Sequence, residues 1–331
     1  MIMQHYSVCG VGVELEGSDP QQLQNINRLW HQLFALQDGV ANTEPSVKLR
    51  FGNALDSGRP MPSGQRVFKS ETLEIIRTEA GYHFQCHDSQ LAINLAGNQA
   101  VGRLSNAFWN LPIQDQREFF LLSFVILLRG HDRYGLHANG LIREEQGILI
   151  VGESGAGKTT LTLGLMSQGW HLLSDDAIML RRAERGIEAL ALRRGFSCTR
   201  QTANHFSGLI DSFENRPHLR DNKRLIDTEA VFPGSFSASC LPRAIIFPRI
   251  SHQSQSQLVP MDESEAIFSL IAQSPGIMTE QPWAARQLEL LQQLVSQASS
   301  YRLLSGSDVF EDPESVSRQL RGTLKEASWA K

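Results

Sequence analysis

Short blocks of alternating apolar and polar residues make up the first 130 residues of the chain, and longer periodic segments follow them. Residues 6–15 and 72–76 have the composition of strands, and clusters rich in Gly, Pro, Ser and Asn, such as residues 56–64, separate pieces of this kind. Residues 115–129 are too densely apolar for a surface helix, and Gly130 follows them as a stop signal. The pattern predicts a first part of short strands that ends in one buried helix.

Strands and helices alternate beyond this point. We predict strands over residues 134–141, 147–151, 170–174 and 244–247, and helices over residues 158–168, 264–273, 282–299 and 313–324. Pro282 and Pro313 fall in the first turn of two of these helices, where proline is tolerated, and Asp312 can cap the last one. The alternation predicts an α/β fold. We therefore divide the chain into a smaller N-terminal α+β domain over residues 1–130 and a second domain over residues 131–331.

The charge balance and the cysteines narrow the class of protein. Lys and Arg number 31 and Asp and Glu number 35, so the net charge is −4, and no basic tract of the kind that binds nucleic acid is present. The four cysteines are Cys9, Cys86, Cys198 and Cys240. They form no CxxC pair, so we expect reduced thiols rather than a zinc site or a disulfide framework.

No segment of the sequence predicts a membrane protein. Residues 119–128 form the most apolar run, and this run is about half of the ~20 residues that a membrane span needs. The residues near Met1 lack the features of a signal peptide. We therefore expect a cytoplasmic protein with no nucleic-acid partner and no membrane partner.

A glycine-rich segment between a predicted strand and a predicted helix carries the clearest chemical signal. Residues 152–159 read GESGAGKT and fit the pattern GxxxxGK[ST], in which glycines let successive backbone N–H groups fold around an anion. The helix that begins at Lys158 adds the positive end of its dipole, the lysine reaches the β and γ phosphates, and the Thr159 hydroxyl ligates Mg²⁺. A glycine-rich turn that matches by accident is the alternative, and the flanking strand and helix argue against it. We assign nucleotide binding to Gly152, Ser154, Gly155, Ala156, Gly157, Lys158, Thr159 and Thr160.

Neighbouring sequence separates the classes of phosphate-loop protein. Residues 221–224 read DNKR rather than the guanine-reading NKxD, and the LSGGQ stretch of transporter ATPases is absent. The predicted strand 170–174 instead leads into Asp175 and Asp176, at a strand end where a bound ligand is expected. Because successive strand residues point to opposite sides, one carboxylate can contact Mg²⁺ while the other acts as a base on the attacking hydroxyl. The alternative is a solvated turn, in which Asp is common.

A third element, residues 135–140 with the sequence GLHANG, lies upstream of the loop. Taken alone, His137 is more simply a hydrogen-bonded structural histidine. The histidine segment is, however, followed by the glycine-rich loop, by Gly169-Trp170 and then by the sequence LLSDD of residues 172–176. This order of the elements resembles the catalytic domain of the HPr kinase/phosphorylase family. His137 precedes Lys158 by 21 residues, and Asp175 follows Lys158 by 17. Both spacings are similar to those in the core of that family. The resemblance covers residues 134–180, with a looser likeness over residues 241–250.

This resemblance implies an α/β phosphate-loop kinase core with a mixed sheet, related to phosphoenolpyruvate carboxykinase. It also implies transfer of the γ-phosphoryl group of ATP, with Mg²⁺, to a serine hydroxyl. Relatives of the same core use free serine or the C-terminal residue of lasso precursor peptides as acceptor. Carried over to this chain, Thr159 and Asp175 contact the metal, His137 lies beside the transferred phosphoryl group, and the aspartate pair also supplies the base, for which we favour Asp176.

The downstream signature of the HPr enzymes, E-h-R-G-h-G with h apolar, is incomplete in this chain. Residues 192–196 read LRRGF and lack its glutamate and second glycine, so we expect an acceptor other than HPr and a weak reverse reaction. An arginine that neutralises transition-state charge can raise the rate of phosphoryl transfer by a factor of about 10³ to 10⁵. Arg194, Arg243 and Arg249 are candidates, and Arg249 is favoured because the predicted strand 244–247 delivers it. Taken alone, each of them is more simply a surface charge, and Arg249 can equally come from a neighbouring subunit.

Three functions follow from these motifs. The leading one is an ATP-dependent kinase that acts on a hydroxyl, that of serine, in a peptide or protein acceptor such as a precursor peptide. The alternatives are a small-molecule kinase for free serine and a nucleotide-sensing module without transfer; the two aspartates favour an enzyme, because binding alone needs no base. We expect residues 1–130 to hold the acceptor together with the helices after Ser264, or else to cover the core or form a homo-oligomer.

Overall fold

The computed structural model describes residues 1–39, 46–52, 60–211, 213–274 and 283–329. The chain divides into two compact units. Unit 1 comprises Met1–Tyr134 and His218–Arg220, and unit 2 comprises Gly135–Pro217 and Asp221–Lys331. Each unit contains a large sheet together with helices, so the protein is mixed α/β.

Unit 1 is built on one large, mainly antiparallel sheet. Its strands are β1 (Ile2–Val8), β2 (Val11–Gly17), β3 (Leu36–Asp38), β4 (Val47–Phe51), β5 (Gln65–Lys69), β6 (Leu73–Arg77), β7 (Gly81–Cys86), β8 (Ser89–Asn94) and β9 (Gln99–Arg103), and its α-helices are α1 (Pro20–Leu33) and α2 (Ile113–Arg129). A 3₁₀ turn over Asn106–Asn110 precedes α2. The strand order is β3-β1-β2-β4-β9-β8-β7-β6-β5. Among the described strands of this sheet, only β4 runs parallel to its neighbours, β2 and β9.

Residues 6–15 form a hairpin rather than the single strand that their composition predicts. β1 and β2 pair antiparallel, with Val8 opposite Val11. The two residues between them, Cys9 and Gly10, have φ angles of 51° and 73°. This left-handed backbone is typical of a two-residue hairpin turn, and glycine adopts it without steric cost.

The predicted buried helix is confirmed as α2. Phe120 and Phe124 on this helix are at most 1% exposed. Their rings meet the ring of Trp30 in α1 edge to face, at centroid distances of 5.6 and 5.0 Å. Gly130 follows the last helical residue, as predicted. These large aromatic contacts hold the two helices of unit 1 together.

Unit 2 contains a second large sheet and most of the helices. Its strands are β10 (Tyr134–Leu136), β11 (Ala138–Arg143), β12 (Gln146–Val151), β13 (His171–Ser174), β14 (Ile178–Ala183), β15 (Gly186–Ala191), β16 (Gly195–Thr199), β17 (Lys223–Asp227), β18 (Ser239–Ile250), β19 (Gln257–Pro260) and β20 (Ser299–Ser305). Its helices are α3 (Lys158–Met166), α4 (Arg200–Ala203), α5 (Ser207–Ile210), α6 (Thr228–Val231), α7 (Glu263–Ala272), α8 (Trp283–Gln297), α9 (Asp308–Glu311) and α10 (Pro313–Trp329).

The large sheet of unit 2 is mixed. Its order is β10-β14-β15-β18-β12-β11-β13, with β20 also beside β18 and β19 beside β20, while β16 and β17 form a separate pair. β18 runs parallel to β12 and β20. Residues 148–151 of β12 are fully buried, as expected for a strand covered on both faces. Trp170 is also fully buried, and its Nε1 donates to Ser317 Oγ at 3.0 Å, which anchors α10 to the start of β13.

The strand predicted over residues 134–141 is interrupted at His137. β10 pairs with β14, whereas β11 pairs with β12 and β13. The backbone N–H of His137 donates to the carbonyl oxygen of Gln273 at 2.8 Å, outside the strand ladder. The interruption places the histidine at the start of β11 rather than inside a continuous strand.

The other elements predicted for unit 2 are present, with ends shifted by a few residues. The strands are β12 and β13, and residues 244–247 lie inside β18. The helices are α3, α7, α8 and α10. Asp312 accepts a hydrogen bond from the backbone N–H of Ser315 at 3.3 Å, as a cap of α10 would. The position predicted for Pro282 lies outside the described residues.

The four cysteines are buried and have free thiols, as their spacing predicts. Across the part of the chain that the structure describes, no helix is long and apolar enough to cross a bilayer.

Candidate functional site

Three turns meet at one edge of the sheet of unit 2. β11 pairs antiparallel with β12 on one side and with β13 on the other, and Ala138 lies opposite Val151. The carboxyl ends of β12 and β13 therefore lie beside the start of β11. This register brings together His137 before β11, the glycine-rich loop after β12, and Asp175 and Asp176 after β13.

The loop of residues 152–157 connects β12 to α3. Gly155 and Gly157 have φ angles of 85° and 94°, a left-handed conformation that strains other residues. A Cβ on Gly155 would meet no atom within 4 Å, so the backbone there borders open space. Gly157 precedes α3 without a side-chain cap. The first backbone N–H groups of the helix are thus suited to binding an anion.

Lys158 lies beneath this loop with only 5% of its surface exposed. Its Nζ donates to the carbonyl oxygens of Gly152 at 2.7 Å and Glu153 at 3.1 Å, and it lies 3.2 Å from His137 Nε2. Burial lowers the pKa of Lys158, and the two carboxylates that follow β13 act in the opposite direction. The ammonium group is therefore fixed at the centre of the three turns.

His137 links the lysine to the turn after β13. Its Nδ1 lies 3.0 Å from the backbone oxygen of Asp176. A carbonyl oxygen only accepts, so Nδ1 carries the proton, and Nε2 accepts from Lys158. Burial lowers the pKa of His137; the carboxylate of Asp176 raises it, and the charge of Lys158 lowers it again. Burial and the neighbouring cations outweigh Asp176, so the pKa of His137 is lowered and the neutral ring is favoured.

Asp176 has a strained backbone that its neighbours hold in place. Its φ angle is 60°, which is uncommon for a residue other than glycine. Its backbone N–H donates to Asn139 Oδ1 at 3.0 Å, and the buried amide of Asn139 donates to Thr162 Oγ1 at 2.9 Å. The Asp176 side chain is 29% exposed, with Oδ1 3.9 Å from His137 Nε2 and Oδ2 3.6 Å from Arg193 Nη1.

Asp175 points into the protein and forms a buried ion pair with Arg193. Both side chains are at most 2% exposed. Arg193 Nη1 donates to the backbone oxygen of Asp175 at 3.0 Å and lies 3.4 Å from its Oδ2, which also accepts from the backbone N–H of Ser197 at 3.0 Å. One guanidinium group thus fixes both aspartates of the turn.

We expect Arg193→Met to lower the free energy of unfolding by about 3–5 kcal/mol, because it leaves the Asp175 carboxylate buried without its cation. Arg182→Met is the matched control, because Arg182 pairs with Glu289 at 3.2 Å while both side chains are at least half exposed. This variant should lose less than about 1 kcal/mol of its free energy of unfolding. Urea unfolding of the two variants measures the difference. Equal losses would show that the buried pair does not hold the turn.

A cavity of about 470 Å³ lies in front of these groups. Of the residues predicted from the sequence, it is lined by His137, Ser154, Gly155, Gly157, Lys158, Thr159, Thr160 and Asp176. The rest of its lining consists of residues that the sequence motifs did not indicate: Ser197, Cys198, Thr199, Gln201, Thr202, His205, Lys223, Ile250 and Phe310. Lys223 adds a second ammonium group to the cavity, and its charge lowers the pKa of Lys158 further.

Cys198 lines this cavity, but its thiol is unreactive. Burial, together with the charge of Asp175, raises its pKa to about 12. The thiol therefore stays protonated near neutral pH, and only the thiolate is a good nucleophile. The reactive groups of the cavity are its carboxylate and its ammonium groups.

Comparison with known proteins gives structural likeness but no match to a family or to a curated protein. No protein-family model matches the chain, and no curated protein matches it. Among solved structures, it is similar to the Hpr(Ser) kinase/phosphatase from Coxiella burnetii, at 14% identity and a TM-score of 0.31, over 59% of this chain and 98% of that one. A likeness at this level shows a structural resemblance and carries no functional conclusion.

The arginines proposed from the sequence for charge neutralisation do not line the cavity. Arg194, Arg243 and Arg249 are exposed. Arg249 lies on β18 directly before Ile250, which does line the cavity.

Two residues that hold the aspartates escaped sequence reasoning. Asn139 lies inside the GLHANG segment, and Arg193 inside LRRGF, where it stands beside Arg194. Neither position is unusual in composition. The alternation of side-chain directions along an extended segment could have indicated Arg193. Two adjacent arginines in such a segment point to opposite sides, and here Arg193 is buried while Arg194 is exposed.

The groups available to Mg²⁺ are few and of the right type. The Thr159 hydroxyl and the Asp176 carboxylate share the cavity. In the residues that the structure covers, no group of three or more His, Cys, Asp or Glu side chains could hold a metal by itself. Mg²⁺ at a nucleotide site usually takes only one or two protein oxygens and completes its shell with phosphates and water, so these residues fit it.

Proposed function

We propose that this protein is an ATP-dependent kinase that transfers the γ-phosphoryl group to a hydroxyl, that of serine, in a peptide or protein acceptor. One observation carries the proposal: the ammonium of Lys158 and the carboxylate of Asp176 face the same cavity, linked by His137, at the end of a glycine-rich phosphate loop. A cation for the phosphates and a base for a hydroxyl are what phosphoryl transfer requires.

The residues of the cavity have separate tasks in this reaction. Lys158 stabilises the negative charge of the γ-phosphoryl group as the bond to the β-phosphate breaks. Asp176 takes the proton of the acceptor hydroxyl as the new O–P bond forms. His137, kept neutral, orients the lysine, and Arg193 and Asn139 hold the aspartate turn.

The Thr159 hydroxyl would hold Mg²⁺, which neutralises phosphate charge when bound. Asp175 as the metal contact and Arg249 as the transition-state cation stay predictions. Lys223, which lines the cavity, is a second candidate for the cation. The core related to phosphoenolpyruvate carboxykinase and the acceptor-holding role of residues 1–130 also belong to this proposal.

Labelling with [γ-³²P]ATP and Mg²⁺ in a lysate of the native host tests the function. We expect label on serine in a protein or peptide, and none after EDTA treatment or with Asp176→Asn. Dialysis of the lysate separates the acceptor classes: label that depends on the small-molecule fraction would favour free serine. ATP binding without transfer to any species would contradict the kinase and favour nucleotide sensing.

A further inference from the structure

A second cavity adjoins the phosphate loop and contains none of the reactive groups. Its volume is about 460 Å³. It shares Gly157, Thr160, Ile250 and Phe310 with the first cavity. His137, Lys158 and Asp176 line only the first. The two cavities therefore meet at the loop, with the reactive groups on one side.

The direction of the loop indicates what the second cavity holds. In a phosphate loop the backbone N–H groups hold the α and β phosphates, and the lysine reaches the β and γ phosphates. The γ end of a bound triphosphate thus lies with Lys158 and Asp176. The second cavity borders Gly157 and Thr160 but not the lysine, so it lies towards the end at which a nucleoside is attached.

The walls of the second cavity offer apolar surface. Ile250 is 62% exposed although it is a large hydrophobic residue, and it lies beside the loop, since a Cβ on Gly157 would be 3.6 Å from its Cγ1. Phe310 is half-buried and stacks on His205, with ring centroids 4.3 Å apart at 28°. The stack fixes the orientation of the phenyl ring. A flat nucleobase would cover both residues.

A dense hydrogen-bond network holds these walls in place. The hydroxyl of the buried Ser256 donates to Asp308 Oδ1 at 2.5 Å, and its backbone N–H donates to Asp308 Oδ2 at 2.7 Å. The backbone N–H of Ser307 donates to the carbonyl oxygen of Gln253, and that of Asp308 donates to the carbonyl oxygen of Ser254, both at 3.1 Å. The cavity is thus preformed, as binding sites for small ligands usually are.

We propose that the second cavity is the nucleobase site, in which Ile250 and Phe310 hold the base of a nucleoside triphosphate by apolar contact and stacking. This inference rests on the nucleotide binding proposed above. It adds a site of its own, because the phosphate loop alone would bind inorganic tripolyphosphate as well as ATP.

Calorimetric titration of the full chain with Mg²⁺ and either ATP or tripolyphosphate tests the site. We expect ATP to bind at least about fivefold more tightly, since stacking of one base on an aromatic side chain strengthens binding by this factor or more. Phe310→Ala should remove most of that advantage, and Ile250→Ser should reduce it several-fold. Neither variant should change the affinity for tripolyphosphate.

Phe268→Ala is the matched control, because Phe268 on α7 is 73% exposed and lines neither cavity. Ile250 is itself exposed, so its variant decides the question if Phe310→Ala does not fold. Equal binding of ATP and tripolyphosphate, or an ATP affinity unaltered by Ile250→Ser and Phe310→Ala, would overturn the nucleobase site and leave the phosphate loop intact. If neither ligand binds, the proposed function itself is wrong.

Discussion

Lys158→Ala is expected to abolish phosphoryl transfer, with a loss of about 10²- to 10³-fold or more. The ammonium of Lys158 is held by two loop carbonyls and by His137, so it is already oriented before a phosphate arrives. A charge fixed in a largely buried position stabilises a developing negative charge far better than a mobile one in water. Transfer of label from [γ-³²P]ATP to the acceptor measures the effect.

Because Lys158 is buried, alanine also removes packing, and Lys158→Met is the matched variant that keeps the aliphatic stem. Both variants should lose transfer, whereas Lys158→Met should unfold in urea close to the unsubstituted protein. Equal turnover in Lys158→Met and the unsubstituted protein would rule out the phosphate-loop assignment.

Asp176→Asn is expected to reduce transfer by about 10²- to 10⁴-fold, because the acceptor hydroxyl loses its base. The fold should tolerate this change. Asp176 has a φ angle of 60°, and asparagine adopts this left-handed backbone as readily as aspartate does. The affinity for Mg·ATP, measured by calorimetry, should stay nearly unchanged.

Asp175→Asn serves as the contrasting variant. Its carboxylate is fully buried against Arg193, so this change should weaken the fold and, if Asp175 contacts the metal, raise the Mg²⁺ concentration needed for transfer. A Mg²⁺ titration of both variants separates the two roles. If both transfer phosphate normally, the aspartate pair is only a turn.

The strand, loop and helix around residues 146–166 could be predicted from the sequence because their causes are local. An apolar run specifies the buried strand, glycines permit the left-handed turn, and the helix begins where the motif places its lysine. The same is true of α2, whose apolar density predicted its burial. The hairpin of residues 6–15 was missed, although Gly10 was a local signal for its turn.

The division of labour between the two aspartates could not be predicted. Their sequence placed both at the end of a strand, with alternating directions. Which one faces the cavity depends on the register of β11 against β13 and on Asn139, whose side chain accepts from the backbone of Asp176. This hydrogen bond joins two residues that lie 37 positions apart in the chain.

By itself, then, the sequence determined the mixed α/β class, the glycine-rich loop with its helix, and the presence of a paired carboxylate after a strand. Only the tertiary structure decided which cation meets those carboxylates. The buried Arg193 lies between Asp175 and Asp176, and no sequence motif had indicated it. The reason is physical: local backbone preferences act over a few residues, whereas strand register and burial select the partner of a charge across the whole unit.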